Sequence, residues 1–202
     1  MGTADEEIMT VPILELRPTQ ITVGAREVQR KRDAWQKKTP RQETRYLARH
    51  LVPVVHGPGN ALFLLDHHHL ALALTREGQE EILVSTVADL AHLGADEFFH
   101  YMDKRGWLHP FDEYGRRRPV DALPKTVEGL IDDPFRSLAG ELREAGGFAK
   151  ESLPFAEFMW ADYLRYRIDS GLVVENPQKA LAQAWHLAKS SDCAFLPGWC
   201  GP

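Results

Sequence analysis

An α+β fold is predicted for this 202-residue chain by three features. Residues 11–90 alternate short aliphatic runs with helix-like stretches, residues 107–128 are loop-like with several prolines, and residues 134–191 carry three helical patterns in succession. Strands alternating with helices, then helices alone, specify a small mixed sheet followed by a helical region. The boundary is placed near residue 107, giving an α/β unit over 1–106 and a loop-plus-helical region over 107–202 packed on it. A 44% hydrophobic composition is ample for a core.

The elements follow in order. "VPILEL" at 11–16 reads as a strand, and Pro18 and Gly24 mark a turn. "AREVQRKRDAWQKK" at 25–38 has Val28, Arg32 and Trp35 at helical spacing, and Pro40 stops it. "HLVPVVHG" at 50–57 is extended, "GPGN" at 57–60 is a turn, and "ALFLLD" at 61–66 is a strand. Asp66 is a suitable N-cap for a short helix over 67–76 that Gly78 ends. "EILVSTVADL" at 81–90 is the next strand, and 94–106 is a helix closed by Gly106. Further helices are expected at 134–146, 154–170 and 177–191; Asp133–Pro134 and Asn176–Pro177 begin two of them, with proline at the first helical position. No internal repeat is visible.

Charge and termini narrow the class. No run of about 18 apolar residues offers a membrane span, and "MGTADEEIMTVPILEL" is acidic where a secretory leader would be basic. A soluble, cytoplasmic protein is expected. A net charge of −5 does not favour a general DNA binder, although nine basic residues crowd 26–49 against Glu27, Asp33 and Glu43. That cluster is either a solvated helix face or a local site for phosphates. Cys193 and Cys200 can close a small loop, but a cytoplasmic chain keeps such thiols reduced, and two sulfurs alone do not make a zinc site.

The stretch that calls for chemistry is "LFLLDHHHLALAL" at 62–74, where one acid and three histidines interrupt an apolar run. Consecutive helical residues diverge by about 100°, so His67, His68 and His69 cannot all ligate one metal, and no metal site is assigned. A helix N-terminus at a strand's carboxyl end presents free N–H groups and a positive dipole end, a natural anion site. The alternative is a plain helix capped by Asp66 with exposed histidines.

These residues, together with "LRPTQITVGAREVQRK", "GADEFFHYM", "LIDDPFRSLAGELRE" and "FAEFMWADYLR", resemble the ParB/sulfiredoxin superfamily and within it the putative ParB-like nuclease family. The resemblance implies a ParB/sulfiredoxin-like N-terminal domain whose strand–turn–helix holds a nucleotide's phosphates: ATP or CTP as cofactor or substrate, with Mg²⁺. Asp66, His68 and His69 match the Asp-Gly-His-His-Arg turn of the free-serine kinases. His67 replaces its glycine and Leu70 its arginine. The resemblance excludes sulfiredoxin activity, because that family's reactive cysteine falls at His68. It also lacks the kinase carboxylate after Arg17-Pro18, where Thr19 and Gln20 stand; Glu15 and Glu27 are the nearest acids. No DNA-reading helix-turn-helix is apparent in 107–202.

The candidate site is therefore Asp66, His68 and His69 as catalytic residues, with His67, His68, His69, Arg17, Thr19, Gln20 and Lys31 toward the phosphates. Asp132, Arg136, Glu157, Asp162 and Arg165 form a candidate co-site, in which Asp162 and Arg165 can also satisfy each other at i,i+3. Three functions compete: nucleotide binding with phosphoryl transfer or hydrolysis, a nuclease acting on DNA, and a non-catalytic protein-interaction module. Oligomeric state is left open.

Overall fold

The computed structural model describes residues 8–151 and 153–201; the expectation drawn from "MGTADEE" lies outside them. The chain is α+β. In order it forms β1 (Ile8–Pro12), β2 (Leu16–Pro18), β3 (Thr22–Val23), α1 (Ala25–Gln36), α2 (Pro40–Arg49), β4 (Val52–His56), β5 (Leu62–Leu64), α3 (His68–Arg76), β6 (Glu81–Asp89), α4 (Ala95–Lys104), β7 (Ile131–Asp132), α5 (Pro134–Glu144), α6 (Ala156–Arg165), α7 (Ser170–Glu175) and α8 (Pro177–Ala188). A five-stranded sheet runs β1-β6-β4-β5-β2, and β3 pairs with β7 in a separate two-stranded ribbon. The sheet is mixed: β1–β6 and β4–β5 are antiparallel, β4–β6 and β2–β5 parallel.

The single strand expected at 11–16 is two strands. Residues Ile13–Glu15 make a turn of 3₁₀ helix that carries the chain from one edge of the sheet to the other. Ile13 and Leu16 are buried there, so the apolar run is real, but it serves two edges. Pro40 ends the first basic helix as expected and also begins α2, because proline is well placed at a first helical position. The 154–170 pattern yields α6 and then a break, with α7 starting at Ser170 under the Asp169 cap, which accepts from Leu172 N–H.

Three hydrophobic clusters fill the molecule. The first lies between the sheet and α1 and α3, and takes in Val127 and Leu130. Within it Leu70 through Leu74 of α3 are all buried, so this helix is covered on every side. The second is built on α5, α6, α7 and α8 around Trp160, Leu138 and Leu142. The third joins Val55, Phe63, Phe98, Met102 and Leu108. No helix among the described residues is long and apolar enough to cross a membrane. Cys193 is buried, Cys200 is exposed, and both are free thiols.

Candidate functional site

Two backbone segments position the histidines. Thr19 lies just past β2, and its N–H donates to Nε2 of His68 at 3.2 Å; Gly24, at the N-terminus of α1, donates its N–H to Nε2 of His69 at 2.9 Å. An amide N–H can only donate, so each Nε2 is the acceptor and each ring carries its proton on Nδ1. Burial reinforces this. It drives the His68 pKa down to about 3, and that of His69 well below the usual range, with the neighbouring Arg136 adding to the effect on His69. Both are therefore neutral at physiological pH. Glu27 Oε2, 3.5 Å from His69 Nε2, is a polar neighbour and not an ion-pair partner. A nitrogen already accepting a backbone amide is not free to act as a base; what remains to both rings is an Nδ1–H donor.

The expected Asp66 cap is not formed. Asp66 Oδ1 accepts from the adjacent His67 N–H at 2.6 Å, while His67 itself occupies the N-cap position with φ 66°, and α3 has no side-chain cap. The first-turn amides of α3 thus keep their donors. His67 stands in the left-handed conformation that a glycine adopts without strain, so the turn keeps its shape despite the substitution.

This mouth opens on a cavity of about 550 Å³, within the size range of small-molecule sites. Its lining joins Asp66, His67, His68 and His69 to Gln20, Glu27 and Lys31 on one side, and to Arg136, Arg143, Phe155, Glu157 and Phe158 on the other; Lys150, Glu151 and Trp107 also contribute. Four cations and four carboxylates balance in formal charge, so specificity rests on placement. Lys31 is paired with Glu27 at 3.3 Å, and Arg143 with Glu157. Arg136 is different. It is 5% exposed, its guanidinium lies 3.3 Å from the Phe158 ring centroid, and its Nε and Nη1 are buried with no hydrogen-bond partner among the described residues. Burial lowers its pKa to about 10, so the charge persists at neutral pH.

The expected residues therefore divide. Asp66, His67, His68, His69, Gln20, Lys31, Arg136 and Glu157 meet at the cavity. Thr19 does not line it; its N–H orients His68 and its hydroxyl donates to Leu64 O. Arg17 does not line it either: alternation along β2 turns it to the exposed face, where it lies over Phe63 at 5.8 Å. Asp132, Asp162 and Arg165 are likewise absent from the cavity wall. Asp132 accepts from Ala25 N–H, and Arg165 bonds both oxygens of Asp133 and reaches Asp162 at 3.3 Å, so these charges satisfy backbone and one another away from the cavity. The residues not anticipated are Arg143 and the aromatic wall of Trp107, Phe148, Phe155 and Phe158. Arg143 is seven residues from Arg136, two turns along one face of α5, and that spacing was a usable signal. Among the described residues no three His, Cys, Asp or Glu side chains converge as a metal-ligand group.

The family described as "Putative ParB-like nuclease" matches residues 9–166. The chain belongs to the ParB-like nuclease family. The family's span runs from β1 through α6 and so contains every residue of the cavity wall, leaving α7 and α8 outside it. The chain is also similar, at 50% identity and a TM-score of 0.94, to a protein of Agrobacterium tumefaciens solved by crystallography, with 99% of this chain and 100% of that one covered. No curated protein matches the chain.

Proposed function

We propose that the cavity at the mouth of α3 binds a nucleotide, ATP or CTP, through its phosphates. The observation that carries this reading is Arg136: a buried, charged fork with two nitrogens that have no hydrogen-bond partner among the described residues, beside an uncapped helix N-terminus. A buried cation without a partner is costly, and a phosphate is the anion whose geometry matches a guanidinium. The first-turn amides of α3 and the Nδ1–H groups of His68 and His69 supply further donors. The aromatic wall gives a base a surface to lie on. Asp66, at the rim, is a carboxylate available to Mg²⁺, which characteristically takes one or two carboxylates and fills its shell with phosphate oxygens and water. With the metal bound, phosphoryl transfer or hydrolysis is the chemistry such a site would serve.

Calorimetric titration with ATP, CTP and ADP, with and without Mg²⁺, tests the proposal. Arg136→Met is expected to weaken nucleotide binding by roughly 10–100-fold, the value of a charge-assisted hydrogen-bond pair. Its folding stability should change by no more than about 1 kcal/mol, because an unpartnered buried charge is replaced by an apolar chain of similar length. Flat traces at millimolar nucleotide overturn the proposal.

The family description favours a second reading, a nuclease acting on DNA, since a phosphodiester is the same class of anion. It requires cleavage of plasmid or single-stranded DNA that is lost in His68→Ala; cleavage undiminished in that variant rules the cavity out as the nuclease site.

A further inference from the structure

The nine basic residues between 26 and 49 fall into two groups. On α1 each cation has an acid: Arg26 and Arg30 reach Glu141, Lys31 reaches Glu27, and Arg32 reaches Glu77. Among the described residues, Lys37, Lys38, Arg41, Arg45 and Arg49 form no ion pair. These five surround the junction of α1 and α2. A second groove, about 350 Å³ in volume, lies there, lined by Lys37, Lys38, Arg45, Tyr46, Arg49 and His50, with no carboxylate in its wall.

The arrangement is regular. Arg41, Arg45 and Arg49 stand at i, i+4 and i+8, one stripe with members about 6 Å apart along the axis. No acid lies three or four positions from any of them. Like charges at this spacing weaken the helix that carries them, and a surface shaped only for solubility interleaves the two signs. The α2 helix has no fully buried residue, so the stripe is presented to solvent. The whole chain is acidic, at −5, which makes this a local concentration of charge and not a general excess. Within the groove Tyr46 is clasped between Lys38, 4.8 Å from its centroid, and the His50 ring, stacked at 4.0 Å. The His50 ring in turn lies 6.3 Å from that of His67, which places the inner end of the groove beside the first cavity.

We infer that this groove binds the phosphodiester backbone of a single-stranded nucleic acid. Four cations with no acid partner among the described residues, Lys37, Lys38, Arg45 and Arg49, and a carboxylate-free wall are the features that track such a strand, and a concavity between two helices admits one backbone. The inference stands apart from the identity of the ligand in the first cavity. It adds a track that ends at that cavity's rim.

Fluorescence anisotropy of the full chain with a labelled oligothymidine 20-mer tests it. Binding is expected at low salt and should fall steeply with added salt, by roughly 0.7 log units in affinity per log unit of salt for each phosphate neutralised. The Arg41→Gln/Arg45→Gln/Arg49→Gln variant should bind at least tenfold more weakly, with a salt slope shallower by about 2. Its thermal midpoint is measured alongside, and the single Arg45→Gln variant gives an intermediate loss that does not depend on the triple variant folding. The Arg116→Gln/Arg118→Gln variant, which removes exposed cations elsewhere, should bind as the parent does. Four outcomes overturn the inference: no binding at micromolar protein in low salt, equal loss in both multiple variants, tighter binding of a duplex than of the single strand, or equal competition by poly-glutamate.

Discussion

At the scale of single residues, three adjacent histidines have three different settings. His67 shapes the turn, His68 accepts from Thr19 N–H, and His69 accepts from Gly24 N–H. The neutral state of the last two has a consequence for stability. In the folded chain the His68 pKa lies at about 3 and that of His69 well below its usual range, both lowered first by burial, whereas the unfolded chain protonates near 6.5. The unfolded state therefore binds more protons throughout this interval. The stability of the neutral form is complete above pH 6.5 and is lost as pH falls toward 3, at up to about 1.4 kcal/mol per pH unit for each such histidine. Urea unfolding at pH 7.5 and pH 5 should show this loss, and His68→Asn should flatten the slope; equal midpoints at the two pH values would show that the ring tolerates protonation. His67 makes a second test. At φ 66°, His67→Gly should leave stability unchanged or raise it by up to about 1 kcal/mol, while the β-branched His67→Val should lose about 1–3 kcal/mol. Denaturant midpoints of the two variants check the difference. The triplet itself was plain in the sequence; the left-handed cap was not, because histidine carries no local signal for positive φ.

At the scale of elements, the critical meeting is the start of α1 against α5. A Cβ on Gly24 would sit 2.8 Å from both N and Oγ of Ser137, so glycine is required there by proximity and not by a positive φ. The same residue holds His69. Gly24→Ala is expected to destabilise the chain by about 1–3 kcal/mol through overpacking and to weaken nucleotide binding as His69 shifts; thermal unfolding and calorimetry report the two effects. The starts of α5 and α8 were readable from capping and proline signals, because those signals act within a few residues. The division of 11–16 between two strands was not readable, since an apolar run looks the same whether it serves one sheet edge or two. The helix over Pro40–Arg49 was missed for a related reason: a proline that stops one helix is also a favourable first residue for the next.

Over the whole molecule, one ion pair stands out. Asp133, 1% exposed, caps α5 by accepting from Phe135 N–H; its own N–H donates to Val23 O, and its carboxylate meets Arg165 of α6 at 2.7 Å. A single buried carboxylate thus ties the small ribbon, α5 and α6 together. Arg165→Leu should cost about 3–5 kcal/mol, because the charge of Asp133 is left buried and alone. The Asp133→Asn/Arg165→Leu double variant should recover much of that loss, since asparagine keeps the cap without the charge. Chemical denaturation of the two variants decides it; a double variant no better than the single would show that Arg165 acts through packing instead. Arg165 and Asp162 were correctly paired from their spacing, but the third partner lies thirty-two positions away from Arg165 in sequence, beyond any local pattern.

The α+β class, most helices, the ParB-like resemblance and the histidine turn were all determined by the sequence alone, because periodicity, capping and short motifs are local properties of the chain. Only the tertiary structure decided which charges face the ligand. Arg136 and Arg165 lie on neighbouring helices, yet one meets a buried carboxylate and the other only the cavity and an aromatic ring. The physical reason is that a charged group's environment is set by what folds against it from distant parts of the chain, and that environment separates a structural ion pair from a binding residue.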